Sequence, residues 1–173
     1  MKNVLIKNSN KKGKGLFSNK NLKKGELILI NNKGKLKKYN SKELVKLSSK
    51  ITEHADYVGH GKYVLDFSPS SYMNHSCNPN TFFKMNSILL SKVYTLRDIK
   101  KGEELTHDYQ LTAVDQINNK NGWKMKCKCG SKSCRKVITG DFFKLPKALQ
   151  RRFYKNLPTS IKKKYYNKIS KLK

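Results

Sequence analysis

The sequence predicts a mainly β body with helices gathered at its C-terminal end, and three observations carry that prediction. From Val4 to Tyr109, short runs of aliphatic, β-branched and aromatic residues alternate with glycine- and lysine-rich turns, the pattern of small strands with tight connections. Three of the four cysteines fall within the eight residues Cys127 to Cys134, as in the compact loops that wrap a tetrahedral metal. Beyond Asp141 the period changes. Leu145, Leu149, Phe153 and Leu157 recur every four residues, and Ile161, Tyr165 and Ile169 repeat the spacing, which is helical.

The elements follow in order. Val4 to Ile6, Leu16 to Ser18 and Glu26 to Ile30 are predicted strands. Between the first two, KKGKGLFS offers Gly13 and Gly15, either for a turn at positive φ or for a close backbone approach to a ligand. Ser41 to His54 is predicted helical, with Ser41 as N-cap and Leu44, Val45, Leu47 and Ile51 as its apolar stripe. Tyr57 to Phe67 reads as a strand pair turning at Gly59 to Gly61, and Thr81 to Met85 and Ile88 to Tyr94 as a second pair around Asn86-Ser87. Asp115 to Asn121, rich in polar residues, reads as a mobile loop. In the tail, one helix starts near Pro146 and another near Pro158, since proline suits a first helical turn.

Composition bounds the class. The 173 residues suffice for one domain with its own core and a small appendage. A formal net charge of +28 with 36% hydrophobic residues makes the surface strongly positive and attractive to polyanions. The cations are mostly lysine, with arginine only at Arg97, Arg135, Arg151 and Arg152. A lysine and asparagine excess along the chain reads either as a coding bias or as a nucleic-acid surface. Nonspecific, salt-sensitive nucleic-acid contact follows from both. No secretory signal is seen, because the apolar run after Asn3 ends at Ile6. Aliphatic runs such as Leu27 to Ile30 fall far short of the roughly 20 residues that cross a bilayer. A soluble, intracellular protein with no membrane partner is expected.

One stretch gathers polar and metal-seeking side chains without a break: YMNHSCNPN, Tyr72 to Asn80, in which Asn74, His75, Ser76 and Cys77 precede Asn78-Pro79. Alone it reads as an ordinary turn. The other cysteines change that reading. CKCGSKSC supplies Cys127, Cys129 and Cys134, and a tetrahedral zinc needs a fourth ligand. Cys77 is the cysteine that remains, so one structural zinc ion would staple the NHSC stretch to the later loop. Disulfides are the other reading, and a reducing compartment disfavours them. Such a metal contributes on the order of 10 kcal/mol to folding.

Taken together, GKGLFS, YMNHSCNPN, LRDIKKGEELTHDY and CKCGSKSCR, in that order, resemble the successive motifs of SET-domain protein-lysine N-methyltransferases followed by a post-SET zinc loop. The resemblance divides the chain into a SET domain (1–122), a post-SET zinc-binding loop (123–140) and a basic helical extension (141–173). It implies a β-clip fold of small curved sheets, in which the NHSC segment threads beside GEELTHDY in a knot-like arrangement. It also implies S-adenosyl-L-methionine as cofactor. Lys14, Gly15 and Leu16 would contact its methionine part through their backbone, Asn74 and His75 would hold it, and Tyr72 would lie beside it. Tyr109 matches the catalytic tyrosine. His107 takes the place of the usual Phe or Tyr that influences how many methyl groups fit, so methylation multiplicity stays open. Tyr57 is a further candidate for the lysine channel. Ser71 stands where many members carry arginine, the segment from Asn31 to Tyr63 is short, and a domain without a cysteine-rich pre-SET region is expected.

The implied substrate is a lysine of a histone or another chromatin protein, and the implied location is the nucleus or chromatin, including that of a host cell. A non-histone substrate, or a catalytically weak SET-fold protein that binds chromatin or nucleic acid, is the competing expectation.

Overall fold

The computed structural model describes residues 3–10, 13–120 and 122–173; Lys11 and Lys12 of KKGKGLFS, and Asn121 of the polar segment, lie outside them. The body is built from strands β1 (Val4–Asn8), β2 (Lys14–Ser18), β3 (Leu27–Asn32) and β4 (Lys38–Asn40). The helical turns α1 (Ser41–Leu44) and α2 (Ser49–Thr52) follow, then β5 (Ala55–Gly59), β6 (Lys62–Leu65), β7 (Asn74–His75), β8 (Thr81–Met85), β9 (Leu90–Thr95) and β10 (Glu104–His107). A ribbon, β11 (Lys124–Lys126) and β12 (Val137–Thr139), precedes the helices α3 (Lys147–Phe153), α4 (Thr159–Lys164) and α5 (Tyr166–Ser170). The mainly β body and the C-terminal helices agree with the sequence. No helix among the described residues is long and apolar enough to cross a membrane.

The strands form small sheets in the orders β1-β2-β10-β7, β3-β9-β8 and β4-β6-β5. Val4, Leu16, Leu22, Ile28, Met73, Val93, Ile99 and Leu105, drawn from the first two of these sheets and their connections, make one buried cluster. Inside the first sheet β7 runs parallel to β10, with Asn74 opposite Thr106 and His75 opposite His107. The NHSC and GEELTHDY segments are therefore neighbours, their paired residues 32 positions apart in sequence and side by side in space.

That pairing is extended by side chains where the NHSC strand ends. Ser76 N–H donates to the His107 carbonyl at 3.0 Å. Asn80, buried, donates through Nδ2 to the Glu104 carbonyl at 2.8 Å and accepts from Thr106 N–H at 2.8 Å. Its amide thus stands in for a peptide of a neighbouring strand. Thr81 Oγ1 closes the row on the Thr106 carbonyl at 2.9 Å.

Three expectations need correction. The segment 41–54 is two short turns rather than one amphipathic helix. Its N-cap is Asn40, which accepts from Glu43 N–H at 2.9 Å while Glu43 accepts from Asn40 N–H at 2.6 Å, a reciprocal capping box. Ser41 sits one residue inside, and Val45, 81% exposed, belongs to no apolar stripe. Among its described residues, the polar segment after Asp115 packs on the body instead of standing clear as a loop: Ile117, like Val114 before it, is buried in the second core, and Asn118 N–H donates to Asp141 Oδ2 at 3.1 Å. The tail holds three helices where two were expected, because the chain breaks at Tyr165 (φ −111°, ψ 34°) between α4 and α5.

The second core explains the four-residue spacing of the tail. Leu145, Phe153, Leu157, Ile161, Ile169 and Leu172 join Val114, Ile117 and Phe142, with Tyr57, Phe82, Met85 and Ile88 of the body packed against them. Buried Gln150 ties the chain leading into α3, donating to the carbonyls of Leu145 at 2.6 Å and Phe143 at 3.0 Å.

Leu157 is 1% exposed, so Leu157→Ala leaves a cavity and should cost about 2–5 kcal/mol. Val45→Ala should stay within about 0.5 kcal/mol. Urea unfolding of both variants checks the contrast, and equal costs would remove the tail from the cooperative core.

Candidate active site

Tyr109 follows β10 and is held at both ends. Its hydroxyl donates to the Met73 carbonyl at 3.1 Å, and its N–H donates to His75 Nδ1 at 3.2 Å. The second bond fixes the tautomer of His75: Nδ1 accepts, so the proton sits on Nε2, which lies 3.4 Å from Cys77 Sγ. Burial lowers the His75 pKa to about 4, with nearby Arg135 adding to the effect against Asp108. Burial likewise raises Tyr109 to about 12, and the carboxylates of Glu104 and Glu53 push the same way. The phenol therefore stays protonated and neutral.

His107, the other β10 ring, lies 4.9 Å from Tyr109 and 4.7 Å from Phe83 between centroids. Burial depresses its pKa to about 3, and its Nδ1 has no hydrogen-bond partner among the described residues. The rings of Tyr57, Phe83, His107 and Tyr109 line one cavity of about 330 Å³ together with Met73 and Ser71. Three residues singled out in the sequence thus meet at one site. Tyr72 does not line this cavity; its ring packs on His54 at 5.0 Å.

The predicted cofactor residues gather on β2 and β7. Asn74 Nδ2 donates to Glu104 Oε1 at 2.7 Å and to the Lys14 carbonyl at 3.3 Å. A Cβ at residue 15 would lie 2.5 Å from Glu104 Oε1 and 3.1 Å from Asn74 Nδ2. Gly15 is thus needed for the close packing of β2 against the Glu104 and Asn74 side chains, a role distinct from both the turn and the ligand approach its sequence suggested. The Leu16 side chain is wholly buried in the core, which leaves only its backbone to face a ligand.

The thiols of Cys77, Cys127, Cys129 and Cys134 all lie within 4.8 Å of one another. Cys77 and Cys127 are 3.7 Å apart, close to the roughly 3.8 Å that tetrahedral geometry gives for a metal–sulfur bond of about 2.3 Å. The donor set therefore fits a metal ion. Backbone N–H groups of Arg135 and Lys136 donate to Cys77 and Cys134 at 3.4 Å, satisfying sulfur lone pairs that a metal would leave. Burial raises Cys77 and pushes Cys127 up to about 12, while Cys129, against its own burial, is brought down to about 6 by hydrogen bonds; ionising all four thiols at once calls for a cation among them.

Two functional contacts went unseen in the sequence. Buried Asp108 accepts from Arg135 Nη2 at 2.7 Å, tying the residue before Tyr109 to the residue after the last cysteine. The signal was present, an acid in HDY and an arginine ending CKCGSKSCR, but pairing them required knowing that Cys77 brings the two loops together. Asn80 was visible only as part of a turn.

Comparison with known proteins agrees with this geometry. The SET domain family model matches residues 13–110. The histone-lysine N-methyltransferase trithorax of Drosophila virilis is 32% identical over 143 residues, covering 73% of this chain and 3% of the relative. Histone-lysine N-methyltransferase 2B of Homo sapiens is 30% identical over 141 residues, covering 73% and 5%. The human 2D enzyme is 32% identical over 155 residues, covering 78% and 2%. The chain thus spans a small fraction of the length of these relatives. Its matched segment contains β2, the NHSC strand and Tyr109, and the chain belongs to the SET domain family.

Proposed function

We propose that the chain transfers methyl groups from S-adenosyl-L-methionine to protein lysines, in histones or other chromatin proteins. The observation that carries this reading is the convergence of Tyr57, His107 and Tyr109 on one cavity, beside the Asn74–His75 strand. The names of the relatives, all histone-lysine N-methyltransferases, supply the substrate class. A nuclear or chromatin location follows from that class.

S-adenosyl-L-methionine supplies, when bound, a methyl group on a positively charged sulfur. Asn74, His75 and the backbone of Lys14 to Leu16 are the residues that would hold it, with Tyr72 nearby. The chain must then deliver a neutral amine in line. A lysine with pKa near 10.4 is neutral only about once in 2,500 at pH 7, a penalty of roughly 4–5 kcal/mol. An aromatic-walled cavity removes water from the ammonium and lowers that pKa. Tyr109 donates its proton to the Met73 carbonyl, which leaves oxygen lone pairs to orient the amine N–H. With a pKa of about 12, it acts as a fixed dipole rather than as a base. His107, neutral with a pKa of about 3, adds no positive charge that would repel the substrate.

We also assign a zinc ion to the four thiolates, on the tetrahedral fit of their spacing. It would hold the loop of residues 127–136 against the NHSC strand, with Arg135 and Asp108 as the second fastening.

Tyr109→Phe should lower transfer of labelled methyl groups to histones by about 100-fold; full activity of this variant would reject the assignment. His107→Tyr adds bulk to the cavity and should shift mass-spectrometric products toward fewer methyl groups per lysine, and an unchanged distribution would free His107 of that role. Metal analysis should find about one zinc per chain. Cys77→Ser should abolish turnover while amide exchange in β1–β3 stays protected and that of residues 127–137 accelerates. Wild-type turnover of that variant would dissolve the coupling.

A further inference from the structure

We propose that the helical cap, residues 141–173, is a docking face for the phosphate backbone of duplex DNA. The cap holds 11 of the 39 basic residues and one of the 11 acidic residues in 33 of the 173 positions. That acid, Asp141, is buried and accepts hydrogen bonds from Phe143 N–H and Asn118 N–H, so it offers no counter-charge at the surface. All the cap cations except half-buried Lys162 are exposed. None is in an ion pair among the described residues.

A coding bias does not account for this concentration. Such a bias raises lysine and asparagine together, yet only 2 of the 17 asparagines lie in the cap. Elsewhere some exposed cations are paired with carboxylates, as in Lys20–Glu26, Lys23–Asp98 and Arg97–Glu103. On the cap no cation has a carboxylate partner among the described residues.

The chemistry selects a duplex. Single strands are held by aromatic platforms on which bases stack, and the cap hides its own: Phe142 and Phe153 are buried, Phe143, Tyr154 and Tyr165 half-buried, and Tyr166 alone is exposed, at 64%. What remains is an array of point charges suited to sequence-independent phosphate contacts. An acidic protein would meet the same charge, but a duplex presents a phosphate charge every ~1.7 Å along its axis, which matches a whole face rather than one patch.

The face is rigidly linked to the catalytic cavity. Tyr57, Met85, Ile88 and Val114 line that cavity, and the same four side chains pack on the core of the cap. DNA held by the cap would therefore be held at a fixed position relative to the cavity, where a lysine from a DNA-bound protein could enter. Binding itself does not rest on the methyl-transfer reading, so the two fail separately.

Two variants of equal net charge test the face. One carries Lys144→Glu, Arg151→Glu, Lys155→Glu and Lys163→Glu on the cap; the other carries Lys35→Glu, Lys42→Glu, Lys46→Glu and Lys50→Glu around β4 and the helical turns. Fluorescence anisotropy with a 30-base-pair duplex, from about 50 to 200 mM salt, should show about tenfold or greater weakening for the cap variant, a salt slope shallower by about 2–4, and less than about threefold change for the other. Equal weakening of both variants would overturn the proposal in favour of diffuse charge. Tighter binding of a single strand of the same length would also overturn it, as would displacement of the duplex by polyglutamate at equal charge. All eight positions are exposed, and should the glutamates lower the melting temperature, glutamine at the same positions gives the same comparison.

Discussion

The structure depends on one constraint: a two-residue strand, Asn74–His75, must lie parallel to β10 although about thirty residues separate them. Two backbone pairs alone cannot hold such a strand against the entropy of the intervening loop, which grows with its length. The side chains after it do the holding. Asn80 and Thr81 satisfy the polar groups of Glu104 and Thr106 inside a buried region, where each unmade hydrogen bond would cost about 1–3 kcal/mol. Met73, 1% exposed, carries the start of the strand into the first core. Hydrogen bonds set the register and apolar burial supplies the affinity, and neither could place Tyr109 without the other.

A continuous chain of contacts runs from the thiol cluster to the cavity. Cys77 Sγ faces His75 Nε2, His75 Nδ1 accepts from the Tyr109 backbone, and the Tyr109 ring packs on His107. Beside it Arg135 holds both Cys77, through its N–H, and Asp108, through its guanidinium. Breaking one partner of a buried ion pair strands the other charge in low dielectric. The thiol cluster and Tyr109 are therefore joined through one set of contacts, which couples the loop of residues 127–136 to the cavity through His75 and Asp108.

What the sequence could reveal follows from how local each cause is. Strand runs and the four-residue spacing after Asp141 are local patterns, and the elements appear where those patterns lie. The thiol cluster was legible despite its long range because cysteine is rare in the chain and zinc chemistry demands four donors. The failures share the opposite property. Ile117 lay in a segment that read as a polar mobile loop, and it is buried, with Val114, because the tail folds over both. Val45 looked like part of a stripe and is exposed because no element covers its side of the segment. The Asp108–Arg135 pair, like Asn80, uses polar residue types with many ordinary roles, so only tertiary proximity singles them out.

For the lysine substrate proposed above, a net charge of +28 poses an electrostatic problem that distance and screening resolve. At physiological ionic strength the Debye length is about 8 Å, so the cations of the outer surface are largely invisible to an amine already in the cavity. The charges that count are those in its lining, and these are Lys33, Glu53 and Asp56. Lys33 is spent on Asp56 at 2.7 Å, which leaves Glu53 in excess. The lining therefore carries one net negative charge within a strongly positive protein. An incoming ammonium meets repulsion from the body and attraction at the cavity, a field that favours substrates whose own approach is assisted by something other than free diffusion. Inside, the balance reverses again: the aromatic walls of Tyr57, Phe83, His107 and Tyr109 give the charged amine no solvent, and it is the neutral form that fits.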